Sequence, residues 1–123
     1  MILIIYNSMY KVYLVSSEIN NKKLYKIGYT RREIQDRIRE FKTGNASNFE
    51  VVSYFESKWG TKIEKNLHKH FMKHKVDGEW FDLSDGEISD FNRICKLTHD
   101  NLELLEKYNT YIIDRGGIKK IKN

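Results

Sequence analysis

The sequence predicts an α/β fold of the α+β kind, a small sandwich in which helices flank a central, mostly antiparallel sheet of three or four strands. Three observations predict this class. Stretches of alternating, β-forming residues occupy 10–15, 24–30 and 49–57. Apolar residues at helical spacing occur at 34–41 and 63–74. The 123 residues, of which 40% are hydrophobic, suffice for one domain with a buried core.

The first two strands form a predicted hairpin. The stretches "YKVYLV" and "LYKIGYT" flank the polar segment "EINNKK", which has the composition of a turn. If Tyr13 faces Lys26, the turn centres between Ile19 and Asn20. Because paired side chains in a sheet point the same way, we expect Tyr13 and Lys26 on one face.

A helix is predicted directly after the hairpin. Thr30 can cap this helix, and Glu33, three residues later, completes a capping box. Its core-facing side is an apolar stripe at i, i+4 and i+7, formed by Ile34, Ile38 and Phe41. Gly44 is expected to end it.

The remaining elements follow in order. "FEVVSYFES" predicts a third strand and "GEWFDL" a short fourth one, with a helix from Thr61 to His74 between them. A longer helix begins near Asp85, and a second capping box, Asp100 with Glu103, predicts a break near residue 99. These elements make a single domain in three parts. The parts are a core, a C-terminal helical segment packed on it and a basic tail, at 1–83, 84–110 and 111–123.

The net charge of +5 is unevenly distributed, with +6 over 1–81, −5 over 82–106 and +4 over 107–123. A basic body favours an anionic partner, of which nucleic acid is the commonest. The single cysteine, Cys95, excludes an internal disulfide framework, and "MILII" is too short for a signal peptide or a membrane span. We therefore expect an intracellular protein that is neither secreted nor membrane-bound.

Two charged residues lie at the borders of predicted buried helix faces. Arg37 falls about 60° from the apolar stripe of its helix, and Glu64 about 70° from that of the next. Arg37 would reach over the sheet, although an arginine that merely covers the core edge takes the same position. Glu64, with His68 one turn on, would hold a divalent cation, although a surface glutamate paired with its neighbours also fits.

Three histidines and the cysteine raise the alternative of a zinc site. His70 and His74 are one turn apart, but His68 points elsewhere and Cys95 has no second cysteine. Because a structural zinc site needs four ligands, this alternative is disfavoured. We expect His70 and His74 on the packed face, as hydrogen-bonded core histidines.

Taken together, these motifs resemble one nuclease superfamily. "VYLV", "YKIGYT", the helix residue Arg37, "TGN", "IEKNLHKHF" and "GEWFDL" occur in this order across 10–83. The set resembles the GIY-YIG nucleases, in the branch found in phages, large DNA viruses and meiotically up-regulated gene products. Each motif is weak alone, whereas the combination is specific. Lys26 stands where the superfamily has its second tyrosine, which is usual for this branch.

The resemblance implies a role for each matched residue. Tyr13 would be the general base, and Lys26 the cation that favours its phenolate. Gly28 and Tyr29 would let the DNA backbone approach the sheet. Arg37 would clamp the phosphate, and Glu64 would bind the metal. His68 would be the catalytic histidine of this branch, and Glu79 an accessory group in place of a late asparagine.

The resemblance thus implies a metal-dependent DNA endonuclease that hydrolyses phosphodiester bonds with one Mg²⁺ or Mn²⁺ ion. We expect DNA as the partner, no small-molecule cofactor, and a monomer or weak homodimer. The alternative is a non-catalytic nucleic-acid-binding module with the same fold. A third hypothesis is an adaptor that docks onto another protein through the acidic segment 82–106, although closing the sheet is the favoured role of that segment.

Overall fold

The computed structural model describes residues 9–41 and 47–115, and within these ranges five strands form one antiparallel sheet. The strands are β1 (Tyr10–Ile19), β2 (Lys22–Thr30), β3 (Ser47–Ser57), β4 (Lys75–Asp77) and β5 (Trp80–Phe81). The helices are α1 (Ile34–Ile38), α2 (Gly60–His70) and α3 (Asp85–Arg115), with a 3-10 turn at Met72–His74. The spatial order of the strands is β3-β1-β2-β5-β4. The predicted mixed α/β class, with an antiparallel sheet flanked by helices, is confirmed.

Helices cover both faces of the sheet. On one face α1 packs over β1 through a cluster of four buried side chains: Tyr13, Val15, Ile34 and Ile38. On the other face α2 and α3 cover the larger core, which includes Val12, Ile27, Leu67 and Phe91. This division follows from the alternation of side chains along β1 and β2.

The β1–β2 hairpin has a different register from the predicted one. Tyr13 lies opposite Gly28, and Lys26 lies opposite Val15. The turn therefore centres between Asn20 and Asn21, one residue later than expected. Both asparagines have positive φ, 54° and 67°, as a tight two-residue hairpin turn requires. Because positions 26 and 28 share a face, the expectation that Tyr13 and Lys26 project from the same side is confirmed.

The capping box predicted for the first helix does not form. Thr30 is the last residue of β2 and is paired with Lys11, so its Oγ1 accepts a hydrogen bond from the backbone of Arg32 at 3.0 Å instead. Helix α1 starts at Ile34, after Glu33 as a cap without a side-chain bond, and spans only five residues. The predicted helix end at Gly44 and the "TGN" turn lie outside the described residues, as do 1–8 and the tail after residue 115.

Helix α3 continues through the predicted break near residue 99. The two capping-box residues make other contacts. Glu103 accepts a hydrogen bond from Trp59 Nε1 at 2.9 Å, and Asp100 pairs with Lys96 at 3.0 Å. The expected C-terminal helical segment is therefore one uninterrupted helix, held to the body by tertiary contacts that local sequence does not show.

The segment between α2 and α3 also differs from the prediction. Helix α2 ends at His70, and His74 belongs to the following 3-10 turn. His70 is exposed and His74 is half-buried, with its Nε2 2.5 Å from Glu87 Oε2. The two histidines are therefore not core residues. The expected strand in "GEWFDL" is β5, and β4 joins it through a turn that contains Gly78 at positive φ.

Among the described residues, no helix combines the length and apolar character needed to cross a membrane.

Candidate active site

A pocket of about 230 Å³ opens beside β2, and six of the eight predicted site residues line it. They come from β1, β2, α1, α2 and the turn between β4 and β5. The lining residues are Tyr13, Gly28, Tyr29, Arg37, Glu64 and Glu79. The other two predicted residues, Lys26 and His68, contact lining carboxylates directly. Residues distant in sequence thus converge on one polar cavity.

The pocket exists because β5 is short. Within the described residues, Tyr25 and Lys26 are the only residues of β2 that pair with β5. The edge of β2 beyond Ile27 is therefore left without a neighbouring strand. Where the pairing with β5 ends, the Ile27 amide donates a hydrogen bond to the Glu79 carbonyl at 3.4 Å. The Ile27 carbonyl accepts one from His68 Nε2 at 2.9 Å. Side chains from both sheet faces reach the same space around this open edge.

Tyr13 and Gly28 fit against each other across the hairpin. Tyr13 is 1% exposed, and its phenol lies over Gly28. A Cβ at position 28 would come within 2.4 Å of Tyr13 Oη, far inside van der Waals contact. The sequence suggested that this glycine leaves room for DNA. The structure gives it an additional role, which is to make room for the tyrosine.

The environment of Tyr13 favours the neutral phenol over the phenolate. Burial raises its pKa to about 12, with smaller upward contributions from the carboxylates of Glu79 and Glu64. The guanidinium of Arg37, near the phenol, acts in the opposite direction and lowers the pKa. The nearby cation that favours the phenolate is therefore Arg37.

Lys26 has a different position from the one its predicted role requires. Its Nζ bonds Glu79 Oε1 at 2.6 Å and lies 5.1 Å from the ring centre of Phe41 and 5.7 Å from that of Trp80. The ammonium thus balances the charge of Glu79, so the expectation that Lys26 directly favours the phenolate of Tyr13 is not supported. Its contact instead holds the β4–β5 turn against β2.

Glu64 and His68 form a half-buried pair one helical turn apart on α2. The Nε2–H of His68 points at Glu64 Oε2, 3.0 Å away, and at the Ile27 carbonyl. The hydrogen bond to Glu64 is the main cause of the raised pKa of His68. The ring also rests edge-on against Phe81, with 4.9 Å between ring centres. His68 therefore fixes the direction of the Glu64 carboxylate without lining the pocket.

Arg37 reaches over the sheet, as its predicted border position on α1 allows, and its side chain remains 35% exposed. Its Nη1 contacts Glu40 Oε1 at 3.2 Å, and the guanidinium lies 5.2 Å from the ring centre of Phe41. Arg32 binds the same Glu40 oxygen at 2.7 Å. The sequence analysis missed Glu40, although its i, i+3 spacing from Arg37 could have indicated the pair.

The donor set of the pocket restricts which metal it suits. No cluster of three or more His, Cys, Asp or Glu side chains suited to a metal ion occurs in the part of the chain that the structure describes. Glu64 and Glu79 alone face the cavity as carboxylates. This set fits Mg²⁺ or Mn²⁺, because Mg²⁺ typically binds through one or two carboxylates while keeping water and substrate oxygens. It does not fit a closed zinc site.

Comparison with known protein families matches residues 10–98 to the T5orf172 domain. No curated protein and no solved structure matches the chain. The matched region covers well over half of the 123 residues and contains every residue that lines the pocket. The match indicates a nuclease or nucleic-acid-binding role. The chain belongs to the T5orf172 domain family, a domain related to the GIY-YIG-like and homing-endonuclease-type nucleases.

Proposed function

We propose that the protein is a GIY-YIG-type, metal-dependent DNA endonuclease and that the pocket beside β2 is its active site. The observation that carries this proposal is the convergence of Tyr13, Arg37 and Glu64 on one cavity of about 230 Å³. A phenol, a guanidinium and a carboxylate from three different elements supply a proton acceptor, a phosphate ligand and a metal ligand. Phosphodiester hydrolysis needs these three functions.

Arg37 is the proposed phosphate ligand. A guanidinium binds phosphate with two parallel, charge-assisted hydrogen bonds, and this one is partly exposed at the mouth of the cavity. Glu40 holds it in the absence of DNA. A bound phosphate would replace Glu40 as the anionic partner and would gain stabilisation as negative charge builds up at phosphorus.

Glu64 is the proposed metal ligand, oriented by His68. The hydrogen bond from His68 engages one carboxylate oxygen, Oε2, at 3.0 Å, which leaves Oε1 for a cation. Mg²⁺ or Mn²⁺ held there would polarise a phosphate oxygen, stabilise the leaving 3′ oxygen and offset the charge of the carboxylate. His68 is a positioning residue in this scheme, and Glu79 is an accessory acceptor at the opposite wall.

Tyr13 is the proposed acceptor of the proton released by the attacking water. With a pKa of about 12, forming the phenolate at pH 7 costs about 7 kcal/mol, at about 1.4 kcal/mol per pKa unit. Arg37 reduces this cost, whereas Glu64 and Glu79 increase it. The Lys26 ammonium, paired with Glu79, limits the amount by which Glu79 increases this cost. Gly28 allows the phenol to occupy its position at the wall of the pocket.

Plasmid nicking tests the proposal. The unaltered protein should convert supercoiled DNA to the nicked or linear form with Mg²⁺ or Mn²⁺, and a chelator should stop the reaction. Glu64→Ala should lower the rate about 100-fold or more. Glu50→Ala is the matched control, since Glu50 is an exposed carboxylate on β3 outside the pocket. Cleavage by Glu64→Ala at the rate of the control would refute the metal role.

A second candidate function is a nucleic-acid-binding module without catalysis. The burial of Tyr13 and its raised pKa favour this alternative, because a neutral phenol is a poor base. The two functions are distinguished by assaying binding and cleavage on the same DNA. Salt-sensitive binding without cleavage of single-stranded, double-stranded or branched DNA, in either metal, would support the module.

A further inference from the structure

The outer face of α3 exposes large apolar side chains. Leu97, Leu104, Leu105 and Tyr108 are each between 51% and 60% exposed. At 100° per residue, Leu97, Leu104 and Tyr108 fall within about 40° of one another, and Leu105 borders this stripe. An exposed surface helix usually carries charged or polar residues on its outer face. We call Leu97, Asn101, Leu104 and Tyr108 the α3 stripe.

Within residues 9–41 and 47–115, the body of the protein does not cover this stripe, because the opposite side of α3 faces the body. His99 is hydrogen-bonded to Ser57 at 2.7 Å, and Glu103 accepts from Trp59 at 2.9 Å. Glu106 accepts from Lys58 at 3.1 Å. These contacts lie about 130–170° around the helix from the centre of the stripe. The stripe is therefore directed away from the sheet.

The spacing of the stripe is that of a coiled-coil seam. Positions 97, 101, 104 and 108 alternate steps of four and three residues, as the a and d positions of a heptad do. Three of the four carry large apolar side chains, and Asn101 is the polar exception. One polar residue in such a seam lowers stability, so the expected association is weak.

The charges beside the stripe are self-complementary. Arg93, Asp100 and Lys107 follow one another at intervals of seven on one flank, with alternating sign. In an antiparallel pair of helices this flank meets the same flank of the partner helix, so Asp100 of each copy faces Lys107 of the other. In a parallel pair the flank would meet Thr98 and Leu105, which carry no charge. Lys96 engages only Oδ2 of Asp100, which leaves the other oxygen for a partner.

We propose that the α3 stripe binds a second copy of this chain, with the two α3 helices antiparallel and related by a two-fold axis near Leu104. Such an interface is isologous, since the same surface serves on both copies. It leaves the pocket beside β2 outside the contact, because the stripe faces away from the body. The proposal does not depend on nuclease activity.

Sedimentation velocity of the full chain over a range of concentrations tests the proposal. The unaltered protein should shift reversibly from monomer to dimer as its concentration rises. Leu104→Glu should weaken association by about tenfold or more, because it places two charges at the centre of the interface. Met72→Gln is the control, since Met72 is 61% exposed but lies outside α3. A protein that stays monomeric up to millimolar concentration, or a Leu104→Glu variant that associates as before, would overturn the proposal.

A charge exchange tests the antiparallel orientation. Asp100→Lys and Lys107→Asp should each weaken the dimer, because each places like charges opposite one another. The double variant should recover most of the association of the unaltered protein. Far-UV circular dichroism of each variant checks that α3 is intact. If both single variants weaken the dimer and the double variant does not recover it, the antiparallel arrangement is wrong.

Discussion

Replacing Gly28 by alanine should destabilise the protein through Tyr13. The new Cβ would lie 2.4 Å from Tyr13 Oη, 2.7 Å from Cζ and 3.0 Å from Cε1. Since unstrained contacts of this kind are about 3.5 Å or more, the ring must retreat by about 1 Å. Tyr13 is 1% exposed and packs against Phe41 with 6.1 Å between ring centres, so it has little space to move. Overpacking of this kind costs about 1–3 kcal/mol.

Urea unfolding with linear extrapolation measures this cost. Gly86→Ala is the matched control, because the nearest atom to its Cβ would be Ser84 Oγ at 3.9 Å. Gly86 lies in the first turn of α3, where alanine should stabilise by less than the value of about 0.5–1 kcal/mol that is typical of a helix interior. The Gly28→Ala variant should also nick plasmid more slowly, since the phenol leaves its place at the pocket wall.

A double-mutant cycle shows whether the clash is with Tyr13. In a Tyr13→Phe background the closest contact, the one to Oη, is absent, whereas the contact to Cζ remains. The cost of Gly28→Ala should therefore fall without disappearing. The reasoning would be refuted if Gly28→Ala were as stable as the unaltered protein, or if its cost were the same with and without the hydroxyl.

Three further predictions follow from the charges and burial of individual groups. Lys26→Met should shift the optimum of the pH–rate profile upward, because it leaves Glu79, whose carboxylate raises the pKa of Tyr13, without the Lys26 cation; an unchanged optimum would contradict this. His68 has a raised pKa in the folded state, so its stabilising effect is fully present below the unfolded value of about 6.5 and is lost as pH rises through the folded value. In urea titrations with chelator, the difference in unfolding free energy between the unaltered protein and His68→Gln should shrink over that pH range, and a constant difference would argue against the ion pair. Cys95 is fully buried, and burial raises the pKa of its thiol to about 12, so a thiol reagent should label it only after unfolding; rapid labelling of the native protein would show that this part of the core opens.

Sequence reasoning identified the residues of the candidate site better than it identified their contacts. Border positions on two helices and the motif resemblance identified all six residues that line the pocket. The partner of Lys26 was not predicted, for a physical reason. Its partner Glu79 is 53 residues away, on a turn whose position depends on how β5 pairs with β2. Such a contact leaves no signal in local spacing.

The fold shows the same division between local pattern and tertiary contact. The strand alternation that predicts β1 and β2 reflects burial on two faces, so those strands were correctly predicted. The capping boxes predicted at Thr30 and Asp100 do not form. Thr30 is paired with Lys11 as the last residue of β2, and Glu103 accepts a hydrogen bond from Trp59. Strand β4 was missed, since its three residues are exposed on the sheet edge and carry no apolar alternation.

The central claim is that the pocket beside β2 cleaves DNA by means of Glu64. The most direct test measures DNA binding and plasmid nicking for the Glu64→Ala variant in the same Mg²⁺ buffer, beside the unaltered protein. The variant should bind DNA with similar affinity and salt dependence but no longer nick it. A variant that nicks as fast as the unaltered protein would contradict the account, because the chemistry would then lie elsewhere on the molecule.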